Sequence, residues 1–169
     1  AIHKVSLAIT SQISIQRVLE QIATQAVGWL NADAAGIFLV DGPRLRLATV
    51  YNLPTRYTNS IVEIGCGVAG TVAQTQQSIY LENYERDWRG EADLPLSWET
   101  FGSVISVPLV YGSDAIGVLM VIAGRQGSMF RREDVRPLER LGAQAAVAIA
   151  HSHSFEEQKA LTLQVEAAR

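Results

Sequence analysis

A chain of 169 residues that is 48% hydrophobic can bury one substantial core, which excludes wholesale disorder. A net charge of -3 and a pI of about 5.6 give no electrostatic case for a nucleic-acid partner. The one cysteine excludes an internal disulfide framework and a four-cysteine zinc site and fits a reducing cytoplasm. No apolar run reaches the ~18 residues of a membrane span, and no signal peptide is visible. The chain starts at Ala1 without a methionine, and residues 156–169 look helical, so the sequence reads as a module cut from a longer protein.

Apolar residues Val5, Ile9, Ile13, Ile15, Val18, Leu19, Ile22, Ala26, Trp29 and Leu30 recur at helical spacing. A break is placed near Thr10 and Ser11 or at Ser14, with Ser14 capping a second helix, and Asn31 stands where that helix ends. Residues 34–41 and 45–51 form a hairpin around Asp41-Gly42-Pro43-Arg44. Arg44-Leu45-Arg46-Leu47 alternates as a half-exposed strand does. Residues 54–59 connect to a third strand at 61–64. Gly65, Gly67 and Gly70 fit G-x-G-x-x-G, followed by a short helix over 68–76 and a brief strand over 79–81. Residues 82–101 are the longest irregular stretch, with helical turns and with Trp88, Pro95 and Trp98. Strands at 103–110 and 116–121 follow, joined by Tyr111-Gly112-Ser113-Asp114. That late hairpin argues for an antiparallel sheet and against a doubly wound parallel one. From Arg131 the pattern is helical, with Leu138, Leu141, Ala145, Ala148 and Ile149 as one apolar stripe, extended less cleanly by Phe155, Leu161, Thr162 and Val165.

The succession resembles the GAF family of small-molecule-binding regulatory domains. The likeness covers roughly residues 13–149 and rests on five pieces in the family's order. They are the helix ending at Leu30 with its following strand, the glycine turn with Val68-Ala69-Gly70-Thr71, the Ser103…Pro108-Leu109 strand, Ile116-Gly117-Val118-Leu119, and Phe130-x-x-x-Asp134. The resemblance implies an α+β fold with a central antiparallel sheet of about six strands. The terminal helices cover one face, and short helices and loops cover the other. It divides the chain into a helical extension (1–12), a GAF-like domain (13–150) and a C-terminal signalling helix (151–169).

The glycines have two readings. They permit a sharp turn and close backbone approach, or they also let the helix near Val68 aim its N–H groups at an anionic ligand. As a dinucleotide site the pattern is weak alone, because such a site needs it inside a strand-turn-helix unit with an acidic residue about 20 residues on. Cys66 is read as a small buried hydrophobe or as a redox sensor beside a helix start. Bilin-binding GAF domains carry a cysteine-histidine pair before the Ser103 strand, where this chain has Ser97-Trp98-Glu99-Thr100-Phe101-Gly102, so a covalent bilin is not expected. GAF-fold methionine sulfoxide reductases use more than one cysteine. His151 and His153 lie about 200° apart on a helix and cannot share a metal, and with His3 they offer no haem ligand. Gly124 and Arg125 stand where cyclic-nucleotide-binding GAF domains carry asparagine and lysine, which argues against that ligand. Phe130 is expected to anchor its loop and Arg125 to pair with Asp134. Arg132, Arg136 and Arg140 form a solvated stripe diluted by acids. The five acidic residues of 82–93 lack calcium-loop spacing. No catalytic constellation emerges.

The function implied is non-catalytic sensing in a signal-transduction protein of the sensor histidine kinase or response regulator type. Candidate ligand-binding residues are Cys66, Val68, Ala69, Tyr84, Trp88, Trp98, Phe101 and Ser103, with aromatic walls and polar points from Ser103 and the N–H groups near Val68. The terminal helices are expected to pair in a homodimer and to pass the signal to an adjacent output domain. The alternatives are a ligand-free dimerisation or interaction module and a redox enzyme using Cys66. The ligand itself is not legible.

Overall fold

Helix α1 (Ile2–Leu30) is one unbroken element. A computed structural model of the chain describes the backbone course of residues 2–95 and 97–168, and the side chains of residues 15–95, 97 and 99–152. The break expected at Thr10–Ser11 or Ser14 is absent, and Ser14 lies inside the helix. Residues 2–27 contain neither proline nor glycine, and an interior serine costs only some tenths of a kcal/mol. The helix ends at Asn31, whose φ of 51° stops it as expected.

β1 (Ala34–Asp41) and β2 (Arg44–Tyr51) form the expected hairpin. A 3-10 turn at Thr55–Tyr57 leads to β3 (Ile61–Glu63). α2 (Gly67–Thr75) begins one residue earlier than the sequence suggests, with Cys66 at its N-cap, and ends at Gln76 in the left-handed region. β4 (Ile79–Leu81) is followed by two single-turn helices, α3 (Tyr84–Asp87) and α4 (Ser97–Thr100). β5 (Phe101–Tyr111) and β6 (Asp114–Gly124) are longer at both ends than expected. A 3-10 turn at Arg132–Asp134 feeds α5 (Val135–Ala168).

The strands make one antiparallel sheet in the order β3-β2-β1-β6-β5-β4. Both faces are covered, which is why β5 and β6 read as nearly continuous apolar runs. On one face α1 and α5 bury Leu19, Ile22, Leu138 and Leu141 against Ile37, Ile105 and Leu119. On the other, α2 and the β4–β5 connection bury Val68, Val72 and Tyr84 against Phe38, Val104 and Met120. Neighbouring residues therefore serve different cores, as the alternation of a strand requires. The β1–β2 register shifts between Ile37 and Phe38, leaving Ala48 as an extra residue on β2. At this bulge Ala48 packs toward the α1 face and the Thr49 hydroxyl accepts from the Gln16 side-chain amide at 2.9 Å. Among the described residues, no helix is long and apolar enough to cross a membrane.

Candidate functional site

The glycine turn sets α2 on the sheet. Gly65 and Gly67 have φ of 96° and 70°, values that a side chain would strain. Gly65 N–H donates to Gly70 O at 2.8 Å, and Cys66 N–H donates to Glu63 O at 3.0 Å, folding the turn back on itself. At Gly70 an added Cβ would lie 2.5 Å from Glu63 O, so the third glycine permits backbone contact between α2 and the end of β3.

The first N–H groups of α2 point at a carboxylate from within the chain. Asp93 Oδ2 accepts from Val68 N–H at 3.1 Å, and Oδ1 accepts from Ala69 N–H at 2.9 Å. The Tyr84 hydroxyl donates to Oδ2 at 2.7 Å and accepts from the Asp93 N–H at 3.0 Å. The Ser97 hydroxyl oxygen accepts from Leu94 N–H at 2.8 Å and closes the turn that follows. Asp93 is 6% exposed and Tyr84 fully buried. An acceptor that satisfies orphan N–H groups and also meets the positive end of α2 is the expected partner at a helix start.

Burial pushes the Asp93 carboxyl above its ordinary value, while the Ala69 N–H, the Tyr84 hydroxyl and the Val68 N–H pull it back. Tyr84 is also raised, by burial first and by the Asp93 charge second. A carboxyl raised in the fold keeps its proton where the unfolded chain has lost it. Its contribution is therefore fully present below the ordinary aspartate range and is lost as pH rises through the raised value. The stability of wild type relative to Asp93→Asn, which does not titrate there, is expected to fall with rising pH across that interval and then level. Paired melting curves against pH measure it; a flat difference would mean that Asp93 has the same proton affinity folded and unfolded.

Five of the expected site residues meet in this region. Val68, Ala69, Tyr84, Phe101 and Ser103 are all buried in or beside the second core. The Phe101 ring stands edge-on to Tyr84, 5.2 Å between centroids. The Ser103 hydroxyl donates to Glu82 O at 2.8 Å. Trp88 is half-buried against this core and donates from Nε1 to Glu91 O at 2.7 Å, so it braces its own loop. Cys66 is a half-buried free thiol at the N-cap. The Trp98 side chain lies outside the described residues. A surface depression of about 450 Å³ lies at the other end of α2, against Val40, Ala73, Gln76, Asp114 and Ile116.

Asp93 and Ser97 escaped the sequence reading. Asp93 is one of five acids in a polar stretch, and the signal that sets it apart is its apolar flank, Ala92 before and Leu94-Pro95 after. Most of the other acids are paired at the surface, Glu82 and Asp87 with Arg86 and Glu85 with Arg125. The pairing of Arg125 with Asp134 is thereby corrected. Arg125 meets Glu85 at 2.5 Å, and Asp134 Oδ2 accepts from Arg131 N–H at 2.8 Å, capping the turn before α5. Phe130 is buried in the first core, and its carbonyl accepts from the Tyr80 hydroxyl at 2.7 Å.

A family model for the GAF domain matches residues 12–150. The probable 3',5'-cyclic phosphodiesterase pde-5 of Caenorhabditis elegans is 23% identical over 158 residues, which cover 86% of this chain and 22% of that protein. The cGMP-specific 3',5'-cyclic phosphodiesterase of Drosophila melanogaster is 33% identical over 100 residues, 57% of this chain and 9% of that protein. The chain thus spans less than a quarter of the length of either relative. Among solved structures, the GAF domain of a phosphoenolpyruvate-protein phosphotransferase from Coxiella burnetii superposes with a TM-score of 0.76 at 19% identity, covering 85% of this chain and 87% of that one. The GAF-B domain of DevS from Mycobacterium smegmatis superposes with a TM-score of 0.69 at 18% identity, covering 85% and 98%. With an antiparallel six-stranded sheet between two helical layers and a family match over most of its length, the chain belongs to the GAF family of regulatory domains.

Proposed function

We propose that this GAF domain is a non-catalytic sensor within a cytoplasmic signal-transduction protein of the two-component type. In this reading a small molecule binds beside α2, and the terminal helices, paired in a homodimer, carry the change to an adjacent output domain. The observation that carries the reading is the division of labour between the two sheet faces. Val68, Ala69, Tyr84, Phe101 and Ser103 gather on one face, while α1 and α5, which continue as helices to Ile2 and Ala168, occupy the other. A binding event on the first face reaches the helices only through the sheet, and it shifts them only if the ligand prefers one of two sheet arrangements. The segments 1–12 and 151–169 serve in this scheme as the signalling extensions.

A second reading, a dimerisation module without a ligand, is favoured by one specific contact. The Asp93 carboxylate already satisfies the α2 N–H groups that an anionic ligand would use. The relatives named as cGMP-specific phosphodiesterases make cGMP the first probe, although Gly124 and Arg125 replace the asparagine and lysine of cyclic-nucleotide-binding members.

Native mass spectrometry of freshly purified protein, beside a denatured sample and with added cGMP, separates the readings. A dimer carrying extra mass that is lost on denaturation, or gaining the mass of cGMP, is the expected result for a sensor. A bare dimer indifferent to cGMP supports the ligand-free module, and a monomer removes transmission through paired helices.

A further inference from the structure

The edge strand β4 reaches both faces of the sheet. In chain order it joins α2 to α3, and both of those helices pack in the second core. It is held in the sheet by three residue pairs with β5, Ile79 with Ser106, Tyr80 with Ile105 and Leu81 with Val104. Its side chains alternate, as those of a strand must. Ile79 and Leu81 belong to the second core, and Tyr80 packs against the first.

Tyr80 meets the entry to α5 twice. Its hydroxyl donates to Phe130 O at 2.7 Å, and the Arg132 guanidinium lies over its ring, 5.7 Å from the centroid. Phe130 is buried in the same core as Leu138 and Leu141 of α5. Asp134 Oδ2 accepts from Arg131 N–H, so residues 130–134 make a closed turn from which α5 starts. Two exposed contacts flank Tyr80. Before β4, the Ser78 hydroxyl donates to Glu139 Oε2 at 2.7 Å, in the second turn of α5. After it, Glu85 of α3 pairs with Arg125 in the chain that leads from β6 to α5. Exposed contacts of this kind contribute little energy, which leaves the partly buried Tyr80 bond as the strongest of the set. At the opposite edge of the sheet, Glu63 of β3 pairs with Arg44 of β2 and that contact stays within the sheet.

We propose that β4 is the coupling element of this domain, with Tyr80 as the positioning residue that links the local opening of α2 to that of the first turns of α5. The inference rests on reading α5 as the output helix. Packed elements open in cooperative units, and such local equilibria couple two sites when opening one removes order that the other needs. Loosening of α2 frees Ser78 and Ile79, β4 loses its place on β5, and the Tyr80 hydroxyl leaves Phe130 O. The turn at 130–134 loses its tie to the sheet edge, and α5 frays from its start. Coupling is reciprocal, so a change imposed on the start of α5 returns to α2 by the same bond.

Native-state amide hydrogen exchange in a double-mutant cycle tests the link. Ala73→Gly, inside α2, loosens that helix by about fivefold through the poor helix propensity of glycine. Tyr80→Phe removes the hydroxyl and keeps the ring under Arg132. By itself Tyr80→Phe speeds exchange at the start of α5 in any account of the bond, so the cycle decides. Exchange at residues 131–141 is expected to rise about threefold on Ala73→Gly when Tyr80 is present and to stay near its starting rate in the Tyr80→Phe background, a coupling of the size seen within one contact network. β1 and β6 are expected to be unchanged in both. An equal rise in both backgrounds overturns the proposal, as does no rise at 131–141 while the α2 amides accelerate. A rise shared by β1 and β6 marks opening of the whole domain and overturns it too. Should Ala73→Gly fail to fold or leave α2 exchange unchanged, Val72→Ala, which opens a cavity under α2, takes its place in the cycle with the same outcomes. The readout needs no ligand. Coupling in a protein that binds neither cGMP nor a copurifying molecule leaves the β4 link standing and removes the sensor reading. A bound ligand without coupling removes the link alone.

Discussion

Asp93→Ala is expected to destabilise the domain by about 3 kcal/mol, the largest loss of any single substitution outside the apolar cores. The truncation leaves the Val68 N–H, the Ala69 N–H and the Tyr84 hydroxyl without their acceptor. Each buried polar group left unsatisfied costs about 1–3 kcal/mol, so three sum to about 3–9 kcal/mol if nothing moves. Two effects limit the loss. The substitution also removes a carboxylate that burial disfavours, which returns part of the desolvation cost. A small shift of the β4–β5 connection can also let water reach the orphaned N–H groups, which lowers the cost of each. Urea denaturation of wild type and variant, with Tyr84→Phe as a milder comparison at about 1 kcal/mol, gives the measurement. A loss under ~0.5 kcal/mol for Asp93→Ala would show that the carboxylate is an incidental neighbour of α2.

The sheet was legible because its signals are local. β1 and β2 differ from their sequence-based limits by at most one residue, since period-two alternation and the Gly42-Pro43 turn act within a few residues of each other. β4 was recovered whole for the same reason. The helical break near Ser14 was misplaced because a serine is as compatible with a helix interior as with a cap, and only the lack of a breaker decides between them. The polar knot was harder to see. Asp93 meets Val68 and Ala69 across 25 and 24 residues of sequence, and in a loop with five acids nothing in a carboxylate's identity tells whether it faces water or a helix end. Arg125 shows the same limit. Asp134 is near in sequence, but the fold brings up Glu85 from 40 residues away. Tyr84 and Phe101 stood out in the sequence because bulky residues in an irregular segment must pack somewhere, and both are buried in the second core. Their charged partner was missed because its location depends on the tertiary path of the β4–β5 connection.

The third glycine of the turn offers a second large effect, with a built-in control. Gly70→Ala replaces a poor helix former by the best one, in a helix, and propensity alone would stabilise it by about 1 kcal/mol. The structure reverses that sign. The new Cβ would sit 2.5 Å from Glu63 O and 3.1 Å from Gly65 N, both backbone atoms that cannot rotate away. α2 must then retreat from the glycine turn. That stretches the Gly65–Gly70 hydrogen bond of 2.8 Å and loosens the packing of Val68 and Ala69, both fully buried. Overpacking of this kind costs about 1–3 kcal/mol, and retreat of the helix start also pulls its N–H groups off Asp93. A net loss of about 2 kcal/mol, or a fall in Tm of about 4–8 °C for a chain of this size, is the expected result. Gly28 in the last turn of α1 is the control, because nothing lies within 4 Å of its added Cβ. Gly28→Ala is expected to raise stability by some tenths of a kcal/mol through helix propensity. Opposite signs from the same substitution would locate the role of Gly70 in backbone contact between α2 and β3, and a Gly70→Ala protein as stable as wild type would leave the third glycine to a ligand rather than to the fold.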